Sequence, residues 1–468
     1  AFGGVRNPSK AVDALRSRDV SSSSRHITED FLKKRPDLLK LLLNAIGGEK
    51  GSFDYDASWI TELRLLWQKA LGADNIDAVS NELYSTPLRH SLIRAWALLT
   101  KDPAADAAEW LVSGAPAGID SPIPDFGVFP PRPDEEHLTV EELEAVTSYI
   151  HNYESLESYD KAEEVMAKIS DPAKDWVKVF DSEADAAAWL GAAPIFTPLG
   201  LVLKDVINED GEVVDVKERP ILDTKRARIK EATRCGQRSV FPRPVDVVMD
   251  ALKLQFPHLN RRRRRTIARA VSWLVLDYED AYFLVPLAHA ERRYQCVRFR
   301  GKVMVFKRTG QGTRTAGLTY AHISALVARL LQSLFGDHEA KMQVYSDDPI
   351  MAAAGSPEQQ DLLHGIAIAT WIVLGFRLAF HKGKRGTDLT WIGARFTIDA
   401  ESVTVSINPV MWGEVLRTAR EFLSSNIIPL RRLRRFAGQC SFISGLIWTW
   451  RPFLADIWAA IEKTDRKQ

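Results

Sequence analysis

From residue 27 to about 115, apolar positions recur at spacings of three and four in "TEDFLKKRPDLLKLLLNAIG", "ASWITELRLLWQKALG" and "STPLRHSLIRAWALLTK". Glycine closes the first two segments, and the spacing predicts amphipathic helices. Residues 1–26, with the Ser- and Arg-rich "RSRDVSSSSR", lack that period and read as disordered. A Pro- and Gly-rich stretch over 113–136 predicts an extended linker, and helical spacing returns from 137 to about 190. At 198 the pattern changes to two β-rich runs around "NEDG" (208–211), a hairpin signal. "SWLVLDYEDAYFLVPL" (272–287) predicts a strand entering a turn, and "RYQCVRFRGKVMVFKR" (293–308) predicts two strands around Arg300-Gly301. "GLTYAHISALVARLLQSLFG" (317–336) and "SPEQQDLLHGIAIATWIVLGF" (356–376) predict helices, the second with Ser356 as N-cap. Between them "KMQVYSDDPIMAAA" predicts strand–turn–strand, and "LTWIGARFTI" (389–398) a strand pair. From Pro409 onward the pattern is helical. The order of elements predicts an α+β fold with an antiparallel sheet.

Composition changes this picture little, but charge does. Of 468 residues 46% are hydrophobic and 26% charged, as in an ordinary globular chain. Cys235, Cys296 and Cys440 are widely spaced, which speaks against a disulfide framework or a structural zinc site and fits a reducing compartment, cytoplasmic or nuclear. The most apolar run, 366–376, is too short to span a bilayer, so no membrane partner is expected. Opening on Ala1 rather than Met, the chain reads as a piece of a longer product. The net charge of +1 hides an asymmetry: from Lys217 to Arg308, 23 lysines and arginines face 9 acids, a surplus of 14. Such a block points to a phosphate-rich partner. The run 261–265, "RRRRR", suits a nucleic-acid backbone contact, a nuclear address or a solvated face.

Two apolar strands end in carboxylates: "WLVLD" delivers Asp277, and "MQVYSDD" delivers Asp347 and Asp348. Brought together in one sheet, three acids would repel and raise one another's pKa. Divalent cations with oxygen ligands remove that conflict, and two such ions can clamp the attacking and leaving oxygens of a phosphoryl transfer.

These segments resemble those of reverse transcriptases. "LDYEDAYFLVPL" is similar to the family's motif A and "YSDD" to its Y-x-D-D motif C, 70 residues apart. "TGQGTRTAGLTYAHI", "LGFRLAFHKGK", "LTWIGARFTID" and "KERPILD" resemble, respectively, motif B, motif D, the primer grip and the fingers strand. The resemblance covers about 195 to 460 and is nearest to DIRS-type retrotransposon polymerases. It implies a right-hand polymerase of fingers, palm and thumb with an antiparallel palm sheet. A mainly helical N-terminal extension would precede it. The implied boundaries are 1–26 disordered, 27–115 helical, 116–194 linker and helical connector, 195–400 fingers and palm, and 401–468 a thumb-like region. The resemblance implies that Asp277, Asp347 and Asp348, with the carbonyl of Tyr278, hold two Mg²⁺ ions, for which Mn²⁺ can substitute. It implies that Lys217 and Arg219 neutralise the triphosphate and that Tyr282 excludes a ribose 2′-hydroxyl. Gln311 and Gly312 would shape the dNTP pocket, and Lys382 would protonate the leaving pyrophosphate. Met342 to Tyr345 and Trp391 would be framework. The implied partners are an RNA or DNA template–primer and dNTPs, with RNase H or recombinase modules elsewhere in a polyprotein. The sequence departs from the family at Pro349, where a bulky apolar residue is usual, and at Ala316-Gly317 in motif B. Pro349 is expected to cost a ladder hydrogen bond and to re-aim the Asp348 carboxylate. Two other readings are an inactive polymerase fold that binds nucleic acid and an unrelated three-carboxylate nucleotidyltransferase or nuclease.

Overall fold

The computed structural model describes residues 18–51, 53, 58–133, 135–146, 151–207, 213–257, 268–310 and 312–465, and shows a mixed helix and sheet fold. The N-terminal spacing of three and four yields helices α1 (Arg18–Lys33), α2 (Pro36–Asn44), α3 (Ser58–Leu71) and α4 (His90–Leu99). The expectation of disorder through residue 26 is therefore corrected for 18–26. Serine lowers helix propensity, but here Ser21 and Ser24 are buried. Ser21 Oγ lies 2.7 Å from Ser333 Oγ, and Arg25 forks onto Glu339 at 2.9 and 3.1 Å. Tertiary contacts override the local preference.

The stretch 113–136 is irregular, as its prolines predict, yet it is no free linker. Ile123, Val128 and Phe129 are buried, and the Glu291 carboxylate accepts from the backbone N–H groups of Ala117, Ile119 and Ser121. Short helices follow, and then a strand the helical spacing did not foretell, β1 (Val177–Phe180). The hairpin signal yields β2 (Leu199–Ile207) and β3 (Val213–Leu222), antiparallel, with their turn outside the described residues. The run 261–265 also lies outside them.

Helix α5 (Pro244–Gln255) leads to β4 (Val271–Val275), then β5 (Cys296–Phe299) and β6 (Lys302–Phe306). Next come helix α6 (Ala316–Ser333), strands β7 (Ala340–Tyr345) and β8 (Asp348–Ala354), and helix α7 (Pro357–Val373). Ser356 caps α7 in a reciprocal box with Gln359. Strands β9 (Lys384–Gly386), β10 (Asp388–Trp391), β11 (Ala394–Ile398) and β12 (Val403–Ile407) precede helices α8 (Pro409–Leu423), α9 (Leu430–Leu446) and α10 (Arg451–Asp465).

The central sheet has the order β9-β4-β8-β7, every neighbour antiparallel. Both faces of the two central strands, β4 and β8, are buried, so these read as near-continuous apolar runs. Alternation divides them: Leu274, Met342, Val344, Met351 and Ala353 face α6 and α7. Val271, Trp273, Val275, Ile350, Ala352 and Ala354 face α5 and the hairpin β10–β11. The N-terminal helices belong to the first of these cores, with Leu32, Leu42, Trp67 and Trp96 packed in one cluster with Leu274 and Trp371. One buried ion pair ties the two regions together. Arg329 of α6 donates Nε and Nη2 to the Asp102 carboxylate, each at 2.7 Å, with 4% and 1% of the side chains exposed.

Candidate active site

The register of β4 against β8 decides where the carboxylates stand. Val275 pairs with Ile350. Beyond the strand end the pairing persists, with Leu276 N–H donating to Pro349 O at 3.2 Å and Tyr278 N–H to Asp347 O at 3.0 Å. Those two bonds bracket a non-hydrogen-bonded position that sets Asp277 opposite Asp348, where side chains on neighbouring strands come closest. By the same alternation both lie on the face of the sheet that carries Trp273 and Ile350. Asp347 sits in the two-residue turn between β7 and β8, beside Ser346 with φ at +59°. Ser324 of α6 donates to the Ser346 carbonyl at 2.9 Å and ties that turn to the helix.

Pro349 occupies the position opposite Leu276, where a residue with an N–H would return the bond it receives. Proline cannot, so the ladder bond anticipated as lost belongs between β8 and β4. Behind this point Trp391 Nε1 donates to the Asp348 carbonyl at 3.0 Å, and the Trp391 indole is buried.

The carboxylates act on one another. Burial first, then the charges of Asp347 and Asp277, push the Asp348 carboxyl up to about 7. Burial likewise raises Asp347, and Asp277 adds to it. Two lysines oppose this. Lys382 Nζ donates to Asp277 Oδ1 at 2.7 Å, and the charges of Lys382 and Lys217 both favour ionised Asp348. Lys217 is itself pushed down, by partial burial and then by Lys382 and Arg219. Lys217 and Arg219 alternate with Glu218 along β3, and Glu218 accepts from Tyr159 on the other face. Lys217 thus reaches the carboxylates electrostatically, whereas Arg219 acts on Lys217.

Among the described residues no three His, Cys, Asp or Glu side chains form a metal-binding cluster. One oxygen of Asp277 is engaged by Lys382, a cation already supplied by the chain. The donor set itself, carboxylate oxygens with Asp348 short of compensating charge, has the chemistry of a hard divalent cation site.

The remaining candidates surround this group. Tyr282 lies over Tyr320, ring centroids 5.2 Å apart, with its hydroxyl 3.2 Å from Ser346 Oγ beside Asp347. Tyr278 is buried, and it is its backbone N–H that meets Asp347. Gly312 has φ of +98°, and a Cβ there would strike the Leu222 carbonyl at the end of β3. Thr224 Oγ1 donates to the Gly312 carbonyl at 3.3 Å. Gln311 lies outside the described residues. Sequence reasoning missed Ser346 and Ser324, whose signals are too ordinary to read. It passed over Arg329 too, although a charge inside the apolar run "ISALVARLL" demands a buried partner.

No family model matches the chain, and no curated protein matches it. Among solved structures, a foamy viral protease-reverse transcriptase in complex with an RNA/DNA hybrid matches at 13% identity and a TM-score of 0.42, over 67% of this chain and 34% of that one. A second foamy viral structure, in complex with double-stranded DNA, matches at 12% identity and a TM-score of 0.42, over 91% of this chain and 60% of that one. The chain thus spans between about a third and three fifths of these structures.

Proposed function

We propose that the chain is a right-hand polymerase that copies RNA, and DNA, templates into DNA from a primer 3′-hydroxyl, as part of a retrotransposon. The observation that carries this is the cross-strand placement of Asp277 and Asp348 beside Asp347, flanked by Lys382 and Lys217. The order of the segments resembling motifs A to E supports it.

Asp277, Asp347 and Asp348, with the Tyr278 carbonyl, would hold two Mg²⁺ ions. Bound there, such ions neutralise the phosphates and favour the ionised 3′-hydroxyl. The chain supplies the rest. Lys217 and Arg219 on one face of β3 bind the triphosphate, Arg219 with a planar fork of donors suited to phosphate. Tyr282 underlies the sugar and leaves no room for a 2′-hydroxyl. Gly312, with no side chain, allows the Leu222 end of β3 to close against the nucleotide pocket. Lys382 Nζ holds the proton that passes to the departing diphosphate. Trp391, through the Asp348 carbonyl, fixes the backbone that carries the carboxylate.

One observation favours a second reading. The Lys382–Asp277 contact already gives the acidic group an internal counter-ion, as a fold that binds nucleic acid without chemistry would. The test is dNTP incorporation on a primed RNA template with Mg²⁺ or Mn²⁺, comparing the natural chain with Asp347→Ala. Incorporation lost in the variant supports the polymerase. Equal silence from both, with tight and steeply salt-dependent template–primer binding, would replace it with the binding module.

A further inference from the structure

A cavity of about 570 Å³ lined by charged side chains opens beyond the turn that follows Asp277. Lys307 and Arg308 line it and are buried, 6% and 2% exposed. Lys174 and Arg377 line it from more exposed positions, and Trp176, stacked on Phe283 at 4.1 Å, forms an aromatic wall. The bonded counter-ion of the buried cations is Asp175, which accepts from Lys307 Nζ at 2.6 and 2.7 Å. Asp175 also accepts from Ser85 Oγ at 2.6 Å, and Ser85 Oγ in turn accepts from Arg308 Nη2 at 2.8 Å. A second buried guanidinium, Arg292, does not line the cavity but stands close enough to disfavour the charges of Lys307 and Arg308.

A polar network that completes itself leaves no donor over. This one does not complete itself. Arg308 Nε and Nη1 are buried without a hydrogen-bond partner among the described residues. Lys307 and Arg308 share the one carboxylate of Asp175. Glu82, Glu279 and Asp280 also line the cavity, toward its more exposed side. None of them bonds Arg308 Nε or Nη1, which have no acceptor among the described residues. The missing component is an anion that offers several oxygens to a planar fork and an ammonium, which describes a phosphate group.

We propose that this cavity is a phosphate-binding site, in which Arg308 and Lys307 hold the phosphate group from the floor and Lys174 and Arg377 close over it. The site is separate from the three-aspartate group. Its occupants by chemistry are inorganic phosphate, pyrophosphate or the phosphate tail of a nucleotide.

The experiment is equilibrium dialysis of the full chain against radiolabelled inorganic phosphate and, separately, pyrophosphate, with EDTA present so that no divalent cation bridges an anion to Asp277, Asp347 or Asp348. It needs no polymerase activity, so its failure and the failure of the polymerase reading are distinguishable. Saturable binding near one site per chain is expected. Lys174→Ala should weaken it about tenfold, the worth of one charge-assisted bond. Arg308→Gln should abolish it, with a melting curve to check folding. Unlabelled dATP that displaces the label would assign the site to nucleotide tails, and dATP that does not would assign it to the free anions. Absence of saturable binding, or binding indifferent to Lys174→Ala and Arg377→Ala, would overturn the proposal.

Discussion

Replacing Asp102 with Asn tests whether the N-terminal helices and the central sheet are one cooperative structure. Asp102 accepts both forks of Arg329 at 2.7 Å and also caps the Ala104 N–H at 2.8 Å. Almost none of either side chain reaches solvent. Asn keeps the shape and one acceptor oxygen but removes the charge, so the Arg329 guanidinium is left buried without a counter-ion. Breaking a buried pair this way costs about 3–5 kcal/mol, far more than an exposed pair is worth. Arg329 Nη1 has no partner among the described residues, so the guanidinium has no second acceptor there to fall back on. The assay is urea unfolding followed by far-ultraviolet circular dichroism and by tryptophan fluorescence. Trp67 and Trp96 report the N-terminal helices, and Trp273 and Trp371 the sheet and its covering helix. The account expects both signals to shift together to lower urea in Asp102→Asn. It expects Asp102→Leu/Arg329→Met to recover most of the loss, because an apolar pair of similar volume removes the stranded charge. A shift below about 1 kcal/mol, or separate transitions with the Trp273 region unmoved, would refute the reasoning.

Other outcomes follow from single contacts. Trp391→Phe removes the indole N–H from the Asp348 carbonyl; it should cost about 1 kcal/mol in unfolding, and a larger share of nucleotide incorporation than of template binding. Gly312→Ala must hold a left-handed backbone and push against Leu222 O, which should cost about 1–3 kcal/mol and raise the KM for dNTP; unchanged values would show that β3 moves freely. Lys382→Met frees Asp277, so Mn²⁺ binding read by electron paramagnetic resonance should tighten severalfold, and weaker binding would count against Lys382 as the resident counter-ion. Burial pushes the Glu291 carboxyl up from 4.5 to about 7 despite three amide donors. Because the folded value is the higher one, the stabilising contribution is complete below about 4.5 and is lost as pH rises through about 7. Urea midpoints should therefore fall across that window in the natural chain and flatten in Glu291→Gln; identical profiles would sink this reading.

The centre of the sheet was legible because β4 and β8 are apolar on both faces and lie next to charge. Helix α7 announced itself through Ser356, and the turn at Arg300-Gly301 through its glycine. What the sequence hid was tertiary. Residues 18–26 look like a disordered serine tract, and only the buried partners Ser333 and Glu339 make them helical. The linker over 113–136 has the composition of a free segment, yet Glu291, more than 150 residues on, binds its amides. At the site the residue types were readable, but their relations were not. That Asp277 faces Asp348 depends on the register of β4 on β8, and that Lys382 already neutralises Asp277 depends on a contact across 105 residues.

The most direct measurement is template-directed single-nucleotide incorporation. A primed RNA is offered each of the four dNTPs separately with Mg²⁺, to the natural chain and to Asp277→Asn. The account predicts extension with the complementary dNTP alone in the natural chain and none in the variant. Extension that ignores the template base, or that persists in Asp277→Asn, would contradict it.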